Sequence, residues 1–260
     1  MRLHCFGTAG YHANEDRHTS SYYLPETGIA LDAGSGFFRL GDLRLDDQDE
    51  RNQQARPSLD ILITHAHLDH ILGLTYLLDP ALQEKFSAIH IWGEGEKIEA
   101  IRQNLFHPLL FPATIEPQWH KIEAGDCWEI RNVKIACRAQ IHPGGSLAYR
   151  LDWPDGRRLV YATDTTGDTS EVHARWSRHA DLLIHECYFE NAQSQWAETT
   201  GHSWTSRVAE VVKGSLPKKL LLTHLNPAGP SLPESELDEI RQWMSSSEVI
   251  VASDHLCVDF

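Results

Sequence analysis

The sequence predicts an α/β chain built as an αβ/βα four-layer sandwich, two mixed β-sheets with helices outside. Two observations predict it. Short apolar, β-rich runs alternate with segments of helical spacing in two successive sets, separated by turn residues. Several of those runs also share one habit, which is to end on a histidine or an aspartate.

The first set opens with RLHCFG, SSYYLP and GIALDAG, three short runs bounded by Gly, Pro and polar residues. LDILIT (59–64) is a short apolar strand, and LDHILGLTYLLD after it has helical spacing. SAIHIWG is a strand, WGEG (92–95) a strand-to-helix turn, and GEKIEAIRQNLF a helix that breaks around Pro108 and Pro112. In the middle third, CWEIRNVKIACRAQ, SLAYRLDW and RRLVYATD read as strands joined by Gly/Pro/Asp turns. ADLLIHECYF (strand), SWTSRVAEVVKG (helix), KKLLLTHLN (strand), ESELDEIRQWM (helix) and EVIVASD (strand) complete the second set. GDLRLDDQDERNQQARPS (41–58) reads as a polar surface loop. With no repeat, low-complexity tract or clear linker, residues 1–260 are expected to form one domain.

Composition narrows the class. The 41% hydrophobic and 23% charged fractions suit a soluble globular protein. No apolar run approaches the roughly 20 residues of a membrane helix, and MRLHCFGTAG has no apolar core of a secretory signal. Five scattered cysteines without a CxxC pair suit reduced thiols. A cytoplasmic protein with no membrane partner is the expectation. The net charge of −14 disfavours non-specific attraction to nucleic acid, although bound divalent cations would offset part of it at their site. Sixteen histidines direct attention to metal ligands.

HAHLDH (65–70) places three histidines and an aspartate directly behind an apolar strand. Asp32, His142, Asp164 and His224 close other strand candidates, and strand ends are rigid places from which side chains can converge. Neutral imidazole and carboxylate are ligands for Zn²⁺ and neighbouring divalent metals. His65 and His67, two apart on an extended exit, can point the same way. Asp69 and His70 start the next helix and turn toward a second point nearby. That is enough for two metals a few ångströms apart, an arrangement suited to hydrolysis.

H-x-H-x-D-H resembles the signature of the metallo-β-lactamase superfamily, and His142, Asp164 and His224 follow in that family's order. The resemblance covers nearly the whole chain. It implies that His65, His67 and His142 hold a first metal. It assigns Asp69, His70 and His224 to a second, with Asp164 bridging and Asp32 orienting a ligand histidine. Two divalent ions are implied, Zn first, with Mn or Fe accepted by the same ligands.

Three further segments resemble the ribonuclease Z branch. FGTAGYHANEDRHTSSYYL follows its F-x-G-T-x-x-G…R-x-T-S opening. IHECYF follows its H-E-A-T segment, with Cys187 and Tyr188 for Ala and Thr. TGHSWTSRVAEVV follows its G-H-S-T segment, with Trp204 for Thr. Taken singly, His202 reads as a helix cap or surface residue, and Glu186 as a strand-end charge. In these positions the resemblance makes His202 a general acid oriented by Glu186, with Asp69 helping to position a metal-bridging hydroxide. The implied activity is a phosphodiesterase.

One departure bears on the substrate. Only a hairpin-length stretch separates His142 from Asp164, where bacterial ribonuclease Z carries a basic exosite arm. That favours a small phosphodiester or cyclic phosphate over tRNA, with tRNA 3′-end cleavage kept as an alternative. A thioester, lactone or β-lactam hydrolase on the same metals is another, and an inactive metal-dependent sensor a third. A homodimer accords with the resemblance. His12, His18, His107 and His185 carry no assignment, and Asp254 and His255 read as a structural turn. Arg17 and His18 lie in the family-like loop near a possible substrate path, and LFHPLLFPATIEP (105–117) could line the mouth or merely pack.

Overall fold

The computed structural model describes residues 1–43, 57–79, 85–113, 115–244 and 248–260. Most of the polar segment expected as a surface loop at 41–58 lies outside the described residues. The described chain divides into two compact units, 1–123 with 253–259, and 124–252 with Phe260.

In the first unit, seven strands form one mixed sheet: β1 (Arg2–Gly7), β2 (Ser21–Leu24), β3 (Ile29–Ala33), β4 (Leu59–Leu62), β5 (Ile89–Glu94), β6 (Gln118–Ile122) and β14 (Cys257–Asp259). The order is β14-β1-β2-β3-β4-β5-β6, antiparallel through β3 and parallel beyond it. Side chains alternate across a strand, so Leu59 and Ile61 of β4 share one face with Phe6, Tyr23, Ala30 and Ile91. That face packs on Phe37, Leu40, Leu74, Leu77 and Ile101 from the connecting segments.

Two expected helices wind differently. The segment 68–79 makes one α-helical turn, α2 (Leu68–Ile71, after the short α1, Arg39–Asp42), and then runs as a 3-10 helix, Leu72–Leu78. At Gly73 the chain presses so closely on its neighbours that a Cβ would lie 2.4 Å from the Gly34 carbonyl oxygen. Close packing, which the apolar spacing does not encode, accompanies the tighter coil. The segment 95–106 is α3 (Gly95–Ala100) followed by a π turn, Ile101–Leu105, and it stops before Pro108. β6 and β14 are not legible as strands in the sequence. Both are edge strands, and most of their side chains stay partly or fully exposed, so neither shows apolar alternation.

The second unit repeats the plan. Its strands are β7 (Cys127–Ile130), β8 (Val133–Gln140), β9 (Ser146–Asp152), β10 (Arg158–Ala162), β11 (Leu182–Glu186), β12 (Lys219–Thr223) and β13 (Val249–Val251). β7 to β10 pair antiparallel as hairpins, and β10 to β13 pair parallel. Arg131 and Asn132 both take positive φ (47° and 67°), as a two-residue hairpin turn between β7 and β8 requires. β9 and β10 are joined through a short turn closed by Trp153 N donating to Arg157 O at 2.9 Å. The expected hairpin between His142 and Asp164 is therefore present.

Helices α4 (Glu171–Ser177), α5 (Ser194–Thr200), α6 (Thr205–Ser215) and α7 (Glu234–Arg241) supply the parallel crossovers and surface. Val208, Val211 and Val212 of α6 with Leu237 and Ile240 of α7 cover Val160, Leu183, Leu220 and Leu222 of the sheet. α4 escapes a sequence reading because its buried face is His173 and Ser177, whereas Val172 is exposed. Among the described residues no helix is long and apolar enough to cross a membrane.

Candidate metal centre

In the first unit the donors lie on one loop. β4 ends at Leu62, the chain bends at Thr64, and His67, in an extended conformation, is the residue before α2. This brings the His65 ring centroid to 4.4 Å from that of His67 and 4.3 Å from that of His70. Asp32, at the end of β3, organises the loop from beneath. Its Oδ1 accepts from Thr64 N at 2.8 Å, and its Oδ2 accepts from His70 Nδ1 at 2.8 Å. The Thr64 hydroxyl donates to Asp32, so at 3.0 Å it accepts from His65 Nδ1. A carboxylate can only accept here, so both rings carry their proton on Nδ1 and present the Nε2 lone pair. That is the tautomer a metal ligand needs. His70 Nε2 lies 3.4 Å from Asp69 Oδ2. His65 and His70 are buried, and His67 is exposed.

The second unit collects its donors from three separate strand exits. His142 follows β8, Asp164 follows β10 and His224 follows β12. His142 Nδ1 donates to the Gly201 carbonyl at 3.0 Å, and its Nε2 lies 3.6 Å from Asp164 Oδ2. His224 Nε2 lies 3.2 Å from Asp164 Oδ1. Burial lowers the pKa of His142, with Asp164 opposing the shift, which favours the neutral imidazole. Gly201 holds φ at 81°, and a Cβ there would lie 2.1 Å from Pro143 and 3.1 Å from the His142 ring. No side chain fits.

Backbone geometry marks the same positions. Asp32, Asp164 and His224 have φ of 55°, 52° and 50°, a region uncommon for residues other than glycine. Nitrogen and carboxylate donors of this kind fit borderline divalent cations. These His/Asp clusters have the capacity to hold one or two divalent ions.

Glu186 closes β11 with no exposed surface. Its carboxylate accepts from Thr165 N, from Ser203 N at 3.1 Å and from His202 Nδ1 at 3.1 Å. With Nδ1 so engaged, Nε2 is the working nitrogen of His202. The ligand atoms of Asp164, His202 and His224 all lie within 4.8 Å of one another. Tyr188 stacks on His202 at 4.8 Å between centroids and 22° between planes.

Sequence reading missed three contributors. Tyr11 N donates to Asp69 Oδ2 at 2.7 Å, from a backbone with φ of 63°. The loop carrying Tyr11 is tied down by Asp254, read from sequence as a mere turn. Asp254 accepts from Thr8 Oγ1 and His18 N, both at 2.8 Å, and pairs with Arg39 at 2.7 Å. Gly201 is the third. Exposed polar spacing offers no signal for such contacts between distant segments. Arg17 donates to Thr8 Oγ1 and His18 meets Ser35, so both brace this loop. His185 is buried against the Glu186 carbonyl, and His12 and His107 are exposed.

Comparison with known proteins places this architecture. Residues 27–225 match the model of the Beta-lactamase superfamily domain. The chain belongs to the beta-lactamase superfamily. Among curated relatives, Ribonuclease Z of Haloarcula marismortui is 26% identical over 316 aligned positions, covering 98% of this chain and 95% of the relative. Among solved structures, the metallo-beta-lactamase fold protein YhfI from Bacillus subtilis superposes with a TM-score of 0.75 at 21% identity, covering 99% and 98% of the two chains. Human tRNase Z, short form, gives 0.74 at 21% identity, covering 100% and 99%. The superfamily fold thus spans the whole chain, and the expected α/β class with two mixed sheets stands. Superfamily membership and the metal-binding clusters together identify a metal-dependent hydrolase in the general sense.

Proposed function

We propose that the chain is a dinuclear phosphodiesterase of ribonuclease Z-like type, acting on a small phosphodiester or cyclic phosphate. In this reading His65, His67 and His142 would hold one ion and Asp69, His70 and His224 a second, with Asp164 serving both. Zinc is the first choice, with manganese or iron accepted by the same donors. Bound ions would make water nucleophilic near neutral pH and neutralise charge on the nonbridging phosphate oxygens.

The protein's own residues do the rest. Asp32 and the Gly201 carbonyl orient ligand histidines. Asp69, its Oδ2 held by Tyr11 N, positions the attacking water. His202, braced by Glu186, gives its proton to the leaving oxygen. The observation that carries the choice of phosphodiester is the fully buried Glu186 carboxylate 3.1 Å from His202 Nδ1. A carboxyl-ester or lactam hydrolase on the same metals has no need of that pair.

The curated relative's name argues for RNA. The short β9–β10 turn, which leaves no room for an arm, and the net charge of −14 argue for a smaller substrate. We place the protein in the cytoplasm, in keeping with five free cysteines. A homodimer is proposed from the resemblance alone and is tested by light scattering.

The deciding experiment compares bis-p-nitrophenyl phosphate with a thioester and a lactone on zinc- and manganese-loaded protein. Preferential turnover of the diester is expected. Preference for the thioester or lactone would replace the reading, and no turnover at full metal occupancy would point to a sensor.

A further inference from the structure

We infer that Tyr188 is a positioning residue for the leaving-group acid. Its ring, stacked on the His202 imidazole, holds that side chain in the orientation from which it protonates the departing oxygen, and thereby suits the site to diesters with poor leaving groups. The inference rests on the phosphodiesterase reading.

His202 follows Gly201 in the loop between α5 and α6 and is only partly buried. Its hydrogen bond to Glu186 fixes one ring atom, Nδ1. The second side-chain torsion of histidine is soft, so one such bond leaves the tilt of the ring poorly defined. Tyr188 restrains that tilt, with centroids 4.8 Å apart and planes at 22°, on a ring that His224 and His142 also approach at 5.4 Å and 5.2 Å. The tyrosine ring is itself held by Phe189 at 4.8 Å and 66°, within a cluster that includes Ala197 and Trp204. It also approaches His224 at 5.7 Å, which links the acid to a proposed metal ligand. In the H-E-A-T pattern of ribonuclease Z this position is threonine, which has no ring face to stack.

The proton balance explains why tilt should matter. The bond from phosphorus to the leaving oxygen breaks with its electron pair on that oxygen. The proton on His202 Nε2 moves to it and completes the alcohol. The oxygen of water forms the new bond to phosphorus, and the proton it sheds restores the imidazolium. A basic alkoxide cannot depart without that proton, whereas p-nitrophenolate can. Misalignment of His202 should therefore be felt on one class of diester and spared on the other.

The test uses Tyr188→Thr and Tyr188→Phe in the metal-loaded protein, with metal content measured. The two substrates are bis-p-nitrophenyl phosphate and 2′,3′-cyclic adenosine monophosphate, whose leaving group is a sugar alkoxide. Tyr188→Thr is expected to lower kcat on the cyclic nucleotide about tenfold or more, and on the nitrophenyl diester by less than about threefold. KM and metal content should hold. Tyr188→Phe should stay within about twofold on both, because the ring is retained. Equal losses on the two substrates, no loss on either, or a Phe variant as impaired as the Thr variant would overturn the inference.

A second arm needs no activity. In ¹H–¹³C spectra of metal-free, histidine-labelled protein, the His202 ring protons should lie upfield under the tyrosine ring. They should move downfield by a few tenths of a ppm in Tyr188→Thr and hold in Tyr188→Phe. Unchanged shifts in Tyr188→Thr reject the stacking. If the wild type hydrolyses neither diester while the shifts behave as stated, the phosphodiesterase reading fails and the positioning contact survives it.

Discussion

The two units share one plan, three antiparallel pairings followed by three parallel ones, yet they deliver their candidate metal donors in opposite ways. The first unit strings four donors along the six residues HAHLDH and steadies them with one carboxylate, Asp32, that serves two histidines at once. The second unit draws His142, Asp164 and His224 from three strand exits, and it orients His142 with a backbone carbonyl. A contiguous set depends on one loop. A dispersed set depends on the register of a whole sheet, so it should be the more sensitive half.

The strongest way to break that contrast is Asp164→Ala. This carboxylate lies 3.6 Å from His142 Nε2 and 3.2 Å from His224 Nε2, so its loss leaves both histidines without their common neighbour. Turnover should fall to background and metal stoichiometry should drop by elemental analysis. His67→Ala, at the exposed end of the contiguous loop, should retain more metal; the reverse order would sink the comparison. Next comes His202→Ala, expected to lower kcat by about 10²–10⁴-fold with metal content intact. Normal turnover would remove His202 from the chemistry, and parallel loss of metal would make it a ligand beside Asp164 and His224.

Asp32→Ala should weaken metal binding by about 10–100-fold in a chelator competition, because two imidazoles lose the partner that sets their tautomer. An effect no larger than that of Gly201→Ser on His142 would erase the advantage assigned to the shared carboxylate. The smallest effect is on stability. Burial pushes His173, in the second unit, down to about 4, and it also lowers His185. A histidine depressed in the folded state contributes stability above its unfolded pKa of about 6.5. That contribution is lost as the pH falls from there toward 4. Urea unfolding at pH 5 should show about 2 kcal/mol less stability from His173 than at pH 7.5. A His173→Gln variant that keeps the full pH dependence would assign it elsewhere.

Much of this was legible before the fold was known. HAHLDH, the apolar strands β3, β4, β10, β11 and β12, and the order of the later donors all stand in the sequence. β6, β14 and α4 were not, because edge strands and a helix with a histidine–serine inner face bury too little apolar surface to leave a pattern. The 3-10 winding after α2 was also hidden, since it goes with close packing at Gly73 while the apolar spacing reads as an ordinary helix.

The candidate site divides along the same line. Residue types and short spacings are local properties, so the sequence alone determined the donor chemistry and the hydrolase class it serves. Tautomers and restraints are properties of contact, and only the tertiary structure decided them. Asp32 reaches Thr64 and His70, Gly201 reaches His142, and Asp254 ties down the loop whose Tyr11 holds Asp69. Tyr188, an apparent departure from a family segment, has its proposed role through a ring contact with His202 that only the fold creates. Chain proximity carries no information about such pairs, because folding brings them together through sheet pairing and side-chain packing.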